Sequence, residues 1–261
     1  MQQSRNALAA GPDPVLDRPL STRSVIASLL LGRRPPAAPG RDLVRWCGLF
    51  GIAPGTVRVA LHRMTAAGEL DRDPRGYALA GPLARRQEEQ QASLRPATRR
   101  WDGTWRLAIA GGHDARPAPV RADMRVALRR ARMAEWREGV WIRPANIDVV
   151  EDPRCAWLDA RPEGDPVALA HRLFEPDRWR RTATALIERV GEATAALDHA
   201  TPGVIVPAFL AGAAALRHVR ADPQLPAALL PGGWPGVELR HVYADYEHRF
   251  HTVARAFFRS A

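Results

Sequence analysis

The sequence comprises 261 residues with a formal net charge of +10, and all 38 of its basic residues are arginine. A hydrophobic fraction of 46% is sufficient for one large domain or for two to three small ones with buried cores. The two cysteines, Cys47 and Cys155, lie far apart and lack the spacing of metal ligands. We therefore exclude a disulfide scaffold and a cysteine metal site, and we expect free thiols in a reducing cytosol.

The positive charge is concentrated in the first hundred residues. Residues 1–100 contain 16 arginines against 8 acidic residues, whereas residues 101–261 contain 22 against 20. A module that faces phosphates requires such an excess. The amino terminus lacks the apolar run of a signal peptide, and the apolar stretch Gly203–Leu216 is too short to span a bilayer. We therefore expect a cytoplasmic protein without a membrane partner.

The chain begins with a polar tail followed by three predicted helices and a hairpin. Residues 1–19 are polar and contain proline, which predicts disorder. Apolar residues at helical spacing predict three helices, Arg23–Leu31, Asp42–Phe50 and Pro54–Ala67. Glu69–Asp73 and Gly76–Ala80 are expected to pair as a β-hairpin. Together these elements predict a winged helix-turn-helix over residues 20–81.

The third predicted helix has two different faces. Val57, Leu61 and Met64 recur at helical spacing and would pack inward. The opposite face combines small residues near the helix start with hydrogen-bond donors further along, as a helix in the major groove requires. We therefore assign base contacts to four residues of this face: Thr56, Arg58, His62 and Arg63. Phosphate contacts would come from Arg72 and Arg75 near the hairpin tip. A plain helical hairpin packed in a core is the alternative.

The centre of the chain combines segments with a strand pattern and segments with a helix pattern. Residues 82–100 are predicted to connect the domains through an exposed helix over Leu83–Leu94, which Arg95-Pro96 ends. After it come predicted strands and helices in the order Thr104–Ala110 (strand), Val120–Met133 (helix), Gly139–Ile142 (strand), Ile147–Val150 (strand candidate), Cys155–Asp159 (strand) and Pro166–Phe174 (helix). This order indicates a ferredoxin-like α/β unit over residues 101–175.

The last part of the chain, residues 176–261, is predicted to be a helical domain. It ends in an amphipathic helix over Val237–Phe258, which would bury its apolar face against the chain or a second subunit. The expected fold class is therefore α+β, with a winged helix-turn-helix, a ferredoxin-like unit and a helical carboxy-terminal domain.

The sequence contains no convincing catalytic set. It has no Walker loop, no GxGxxG motif and no nucleophile elbow with an ordered histidine and acid. His241, Asp245 and His248 have the spacing of metal ligands on the last helix, but they lie opposite its apolar stripe, and a solvated face explains them. We therefore expect no enzymatic activity, no cofactor and no metal.

Five stretches, in their order and spacing, resemble the PaaX-like transcriptional regulators, the repressors of phenylacetic-acid catabolism. These stretches are TRSVIASLLLG, GIAPGTVRVALHRMTAAGEL, WDGTWRLAI, LRRARMAEWREGVWIRP and DPQLPAALLPGGWPG. The resemblance implies a homodimeric repressor that binds a double-stranded DNA operator. It also implies release by an aryl-coenzyme A thioester such as phenylacetyl-CoA. The wing is shorter, and the connecting helix richer in Gln and Glu, than the family pattern.

An aryl-CoA effector needs apolar walls and cations for its phosphates. Trp141 with Arg143 is the candidate pair for such a pocket, although core packing of the tryptophan is the alternative. Further candidates for the phosphates are Arg125, Arg129, Arg130 and Arg132. Two other functions stay open at this point. One is an enzyme that acts on acyl thioesters and carries an accessory winged-helix domain, and the other is a winged-helix module that binds only protein.

Overall fold

A computed structural model describes residues 20–110, 117–199 and 203–259, so the predicted tail over residues 1–19 lies outside the described residues. These residues combine helices with two small antiparallel sheets. The chain divides into two compact units, which we describe separately. The described residues of unit 1 lie within Met1–Gln91, Ala185–Arg217 and Glu238–Ala261. Unit 2 takes its described residues from Ala92–Thr184 and His218–Val237.

Unit 1 begins with three helices and a three-stranded sheet. The helices are α1 (Thr22–Gly32), α2 (Gly40–Gly48) and α3 (Pro54–Ala66), and α4 (Gly81–Leu94) follows the sheet. The strands are β1 (Ala37–Ala38), β2 (Leu70–Asp73) and β3 (Gly76–Leu79), in the antiparallel order β1-β3-β2. The predicted helices and hairpin are present with bounds that differ by at most two residues. β1 was not predicted, because two alanines carry no strand pattern.

Parts of three long helices complete unit 1. These helices are α7 (Pro176–Asp198), α8 (Ile205–Arg220) and α9 (Gly236–Arg259). Six aromatic rings meet where α2 packs against α8 and α9, and we call them the Trp46 cluster: Trp46, Phe50, Phe209, Phe250, Phe257 and Phe258. Trp46 is completely buried at its centre. Gly212 of α8 lies so close to the Tyr246 ring that a Cβ there would overlap with it, so the approach of α8 to α9 requires glycine.

Unit 2 is built on a four-stranded antiparallel sheet with the order β5-β6-β4-β7. Its strands are β4 (Trp105–Ile109), β5 (Ala134–Arg137), β6 (Val140–Pro144) and β7 (Ala156–Ala160), and its shorter helices are α5 (Ala118–Arg130) and α6 (Pro166–Phe174). Side chains alternate between the two faces. Leu107 and Ile142 share a cluster with Leu169 of α6, whereas Ala108 and Trp141 share the other cluster with α5. Both faces of the sheet are therefore covered.

Three details of the central unit differ from the prediction. Ile147–Val150 is not a strand, and the prediction was wrong because β6 and β7 lie on opposite sides of β4, so this segment must cross between them. Helix α6 follows β7, whereas the ferredoxin-like order places the second helix before the last strand. β5 was not predicted, since charged Glu135 and Arg137 interrupt its apolar pattern.

In the described part of the chain, no helix combines the length and the apolar character that crossing a bilayer requires.

Candidate nucleic-acid interface

The turn between α2 and α3 depends on one glycine. Gly51 has φ +70°, a backbone conformation that glycine adopts at no steric cost. The next amide, Ile52 N–H, donates to the Cys47 carbonyl at 3.2 Å and closes the end of α2. Pro54 is the first residue of α3, and no side chain of the described residues caps that end of the helix. The first-turn amides of α3 therefore retain the positive end of the helix dipole.

The two faces of α3 are separated as the sequence pattern predicts. Val57, Leu61 and Met64 are at most 2% exposed and hold the helix against α1 and α2. The side chains to which we assign base contacts are all exposed: Thr56, Arg58, His62 and Arg63. Arg58, His62 and Arg63 make no side-chain hydrogen bond or ion pair to another described residue. Their donors are therefore available to an external partner.

The hairpin presents two arginines that already have partners within the protein. The Arg75 guanidinium pairs with the Asp73 carboxylate at 2.6 Å, and the Arg75 amide donates to the same carboxylate at 2.7 Å. The Arg75 side chain is the main cause that holds the pKa of Asp73 below its ordinary value. The Arg72 guanidinium lies 4.3 Å from the centroid of the Tyr77 ring. Both arginines are exposed, so they are held in place without being removed from solvent.

The base of the hairpin is fixed by sterics and by an ion pair. Gly76 has φ +122°, and a Cβ at this position would overlap with the carbonyl oxygen of Ala38 in β1. The Arg23 guanidinium of α1 contacts both carboxylate oxygens of Glu69, at 2.5 and 2.8 Å. A bidentate pair of this kind constrains both side chains. The hairpin is therefore attached to α1 as well as to α3.

Two arginines near α2 contact rings of α9. The Arg45 guanidinium lies 4.3 Å from the centroid of Phe257, and the Arg33 guanidinium lies 5.1 Å from that of Phe258. These cation–π contacts cover the edge of the Trp46 cluster. Among the described residues, Nη1 of Arg45 and Nε1 of Trp46 are buried without a hydrogen-bond partner.

The structure places Arg143, proposed from sequence as part of a ligand pocket, in the interior of unit 2. The side chain has no exposed surface, and its five N–H groups each have an acceptor: Pro144 O, Ala131 O, Arg132 O, Asn146 Oδ1 and Gln224 O. Burial, and then the charge of Arg132, lower the pKa of Arg143 to about 9, so the group stays protonated at neutral pH. In this arrangement it has no donor left for a phosphate, and its role as a ligand residue stays a prediction.

Arg132 has a related role that sequence reasoning missed. Its Nη1 donates to the carbonyl oxygens of Arg220, at 3.0 Å, and of Asp222, and its Nη2 donates to Ser93 Oγ at 3.3 Å. Arg132 and Arg143 thus hold the segment after α8 by its main-chain carbonyls. Carbonyl acceptors exist at every residue, so no sequence signal could identify them.

An open depression of about 390 Å³ lies where α6 meets α7. It is lined by His171, Glu175, Pro176, Asp177, Arg178 and Arg181. His171 Nδ1 lies 3.6 Å from Asp177 Oδ2. This lining is mainly charged, whereas an aryl group requires apolar walls.

The described residues contain no group of three or more His, Cys, Asp or Glu side chains that could hold a metal ion. His241, Asp245 and His248, which have ligand spacing on α9, are each exposed.

The fold and the site together define a mixed helix–sheet protein whose amino-terminal module exposes an arginine-bearing helix. Residues 21–83 match the PaaX-like protein family, and residues 174–260 match the PaaX-like protein C-terminal domain. The chain belongs to the PaaX-like family, whose members are in general transcriptional repressors that bind DNA.

A solved structure extends this similarity over most of the chain. The uncharacterised protein Rv0674 from Mycobacterium tuberculosis is 37% identical, with a TM-score of 0.70. The alignment covers 90% of this chain and 98% of that protein. No curated protein matches the chain significantly.

Proposed function

We propose that this protein is a DNA-binding transcriptional repressor in which residues 20–81 form a winged helix-turn-helix and α3 enters the major groove. The observation that carries the proposal is the division of α3. Its Val57, Leu61 and Met64 side is buried, while Arg58 and His62 are exposed and have no hydrogen-bond or ion-pair partner among the described residues. In the alternative, a helical hairpin packed within a core, such side chains would be buried or paired.

Each predicted contact has a chemical basis. Thr56 lies in the first turn of α3, and the amino-terminal end of a recognition helix approaches base edges. Arg58 and Arg63 can donate two hydrogen bonds to a guanine edge, and His62 adds a further donor. Arg72 and Arg75 of the hairpin would contact phosphates and set the register of the helix in the groove.

The family resemblance supports two further parts of the proposal. A homodimer would place two copies of α3 on a pseudo-palindrome with half-sites one or two helical turns apart. An aryl-CoA thioester, with phenylacetyl-CoA as the reference compound, would release the protein from its operator. A panel of aryl-CoA esters tests the effector: saturable binding with release of DNA supports it, whereas turnover of the thioester indicates an enzyme.

The proposed function is tested by selection of duplexes from a random-sequence library with the full-length protein, followed by footprinting. We expect enrichment of a sequence with two related half-sites and binding that weakens steeply with salt. A protein that enriches no sequence and shows no salt-dependent retention on duplex DNA does not have this function. That result would favour a module that binds only protein.

A further inference from the structure

The outer surface of α5 in unit 2 carries a row of arginines that the proposed recognition site does not use. Met124 and Leu128 face the sheet and are at most 5% exposed, which fixes the rotation of the helix. Arg125, Arg129 and Arg130 are exposed, and none of them forms an ion pair or hydrogen bond with another described residue. The helix is therefore held by its apolar side and presents three guanidinium groups whose N–H donors face solvent, and that of Arg129 also lies 5.8 Å from the centroid of the Trp141 ring.

Charge is segregated within unit 2, so the arginine-rich composition alone does not explain this row. Helix α5 contains four arginines and one acidic residue, Asp123. The segment 148–165, which includes β7, has the opposite balance, with six acidic residues and two arginines. A uniform bias toward arginine would have placed basic side chains in both segments equally.

We propose that the outer face of α5 is a second nucleic-acid contact surface, which binds phosphates of duplex DNA outside the base pairs that α3 contacts. This inference rests on the proposed function, since it assigns a further part of the same DNA complex. It concerns sequence-independent contacts, because phosphates are the same at every base pair.

The shape of the surface favours an extended polyanion over a small ligand. Sites for small molecules are concave, whereas the exposed side of α5 is the convex face of a single helix. Arg125 and Arg129 are separated by one helical turn, a rise of about 6 Å, so that their side chains can contact neighbouring phosphates of a strand. A guanidinium donates two parallel hydrogen bonds to a phosphate, which favours arginine for such contacts.

The test compares two triple variants of the full-length protein. The first is Arg125→Ala with Arg129→Ala and Arg130→Ala. The matched control removes three exposed arginines at the α6–α7 junction of the same unit: Arg172→Ala, Arg178→Ala and Arg181→Ala. The probes are the duplex that the wild-type protein selects, with no flanks and with about ten flanking base pairs of random sequence on each side.

Two quantities are measured. One is the slope of log Kd against log salt concentration, and the other is the length of the nuclease footprint. Each lost phosphate contact lowers the slope by about 0.9, so the α5 variant should lose up to about 2.7 on the flanked duplex. Its footprint should be shorter than that of the control triple variant. Replacing the same three arginines by lysine retains the charge and should retain most of the slope.

Three results would overturn the inference. The first is that the α5 variant keeps the slope and the footprint of the control variant. The second is a lower slope that coincides with loss of self-association in sedimentation, since the α5 face then joins two copies. The third is unchanged DNA binding combined with loss of the aryl-CoA response, which assigns the row to that ligand. In each case Arg58→Ala with Arg63→Ala still reports separately on the proposed function.

Discussion

The indole ring of Trp46 in α2 meets the phenyl ring of Phe250 in α9 at an angle of 89°, with 5.9 Å between the ring centroids. This edge-to-face contact joins the two segments that match the PaaX-like family, since one ring belongs to residues 21–83 and the other to residues 174–260. The helices that present α3 therefore share their core with the carboxy-terminal helix within unit 1.

Removing the central ring of this cluster should destabilise unit 1 strongly. Trp46→Ala is expected to lower the free energy of unfolding by about 3–5 kcal/mol, because the lost ring leaves a cavity. Val59→Ala on the exposed side of α3 is the control and should change stability by less than about 0.5 kcal/mol. Urea denaturation of each variant and of Phe250→Ala measures these values. If the double variant loses an unfolding free energy equal to the sum of the losses in Trp46→Ala and Phe250→Ala, a shared core is contradicted.

The exposed arginines of α3 are expected to determine affinity for the operator. Arg58→Ala and Arg63→Ala should each weaken binding by about 1–3 kcal/mol and relax the base preference at the contacted positions. Arg85→Ala on α4 removes the same charge from an exposed position and serves as the control. Gel-shift titration of the selected duplex measures the change. If these affinities equal that of the control variant, the placement of α3 in the major groove is contradicted.

Neutralising Asp73 should strengthen DNA binding. Asp73 holds Arg75 by an ion pair and places a negative charge at the hairpin tip. Asp73→Asn is expected to release the guanidinium for a phosphate, which steepens the dependence of log Kd on log salt by up to about 1. Asp71→Asn in the same strand removes an equal charge without contacting Arg75 and should have a smaller effect. Equal effects of the two variants would show that only net charge matters.

The interior position of Arg143 predicts that lysine cannot replace it. Arg143→Lys keeps a positive charge but cannot reproduce the five hydrogen bonds, so several buried carbonyl groups lose their donors. We expect a loss of about 2 kcal/mol or more in the free energy of unfolding. Exposed Arg129→Lys is the control and should be close to neutral. If Arg143→Lys retains full stability and loses only the response to aryl-CoA esters, the ligand role predicted from sequence is correct.

The stability of unit 1 should decrease as the pH falls below neutrality. Burial, followed by the charges of Arg255 and Arg34, lowers the pKa of His251 from its ordinary value of 6.5. As the pH falls through 6.5, the unfolded chain binds a proton before the folded chain does, so protons favour unfolding. His251→Gln should reduce the loss of stability between about pH 7 and pH 5. Thermal melts of the wild type and of His251→Gln across this range measure the difference, and an equal loss of stability in both proteins would contradict the prediction.

Local patterns were sufficient to predict most elements and one face of the site. The spacing of Val57, Leu61 and Met64 fixed the rotation of α3, and the Pro-Arg-Gly turn predicted the hairpin. These signals arise from residues a few positions apart, which interact within a single element. The burial of Val57 and the exposure of Arg58 follow directly from that periodicity.

Contacts between distant parts of the chain could not be predicted in the same way. The short strand β1 exists because β3 offers it an edge, and its own two alanines contain no signal. Arg143 has an ordinary sequence context, yet its acceptors come from residues as distant as Gln224. The rings around Trp46 were assigned to separate domains, although they pack together in unit 1.

The Trp46 cluster can form only late in the synthesis of the chain. Phe250, Phe257 and Phe258 are translated long after α1, α2 and α3, so a nascent chain on the ribosome has these helices without the rings that cover Trp46. Trp46 of α2 can attain its final packing only after residue 258 has left the exit tunnel. A translation product truncated before Phe250 would therefore expose the indole of Trp46.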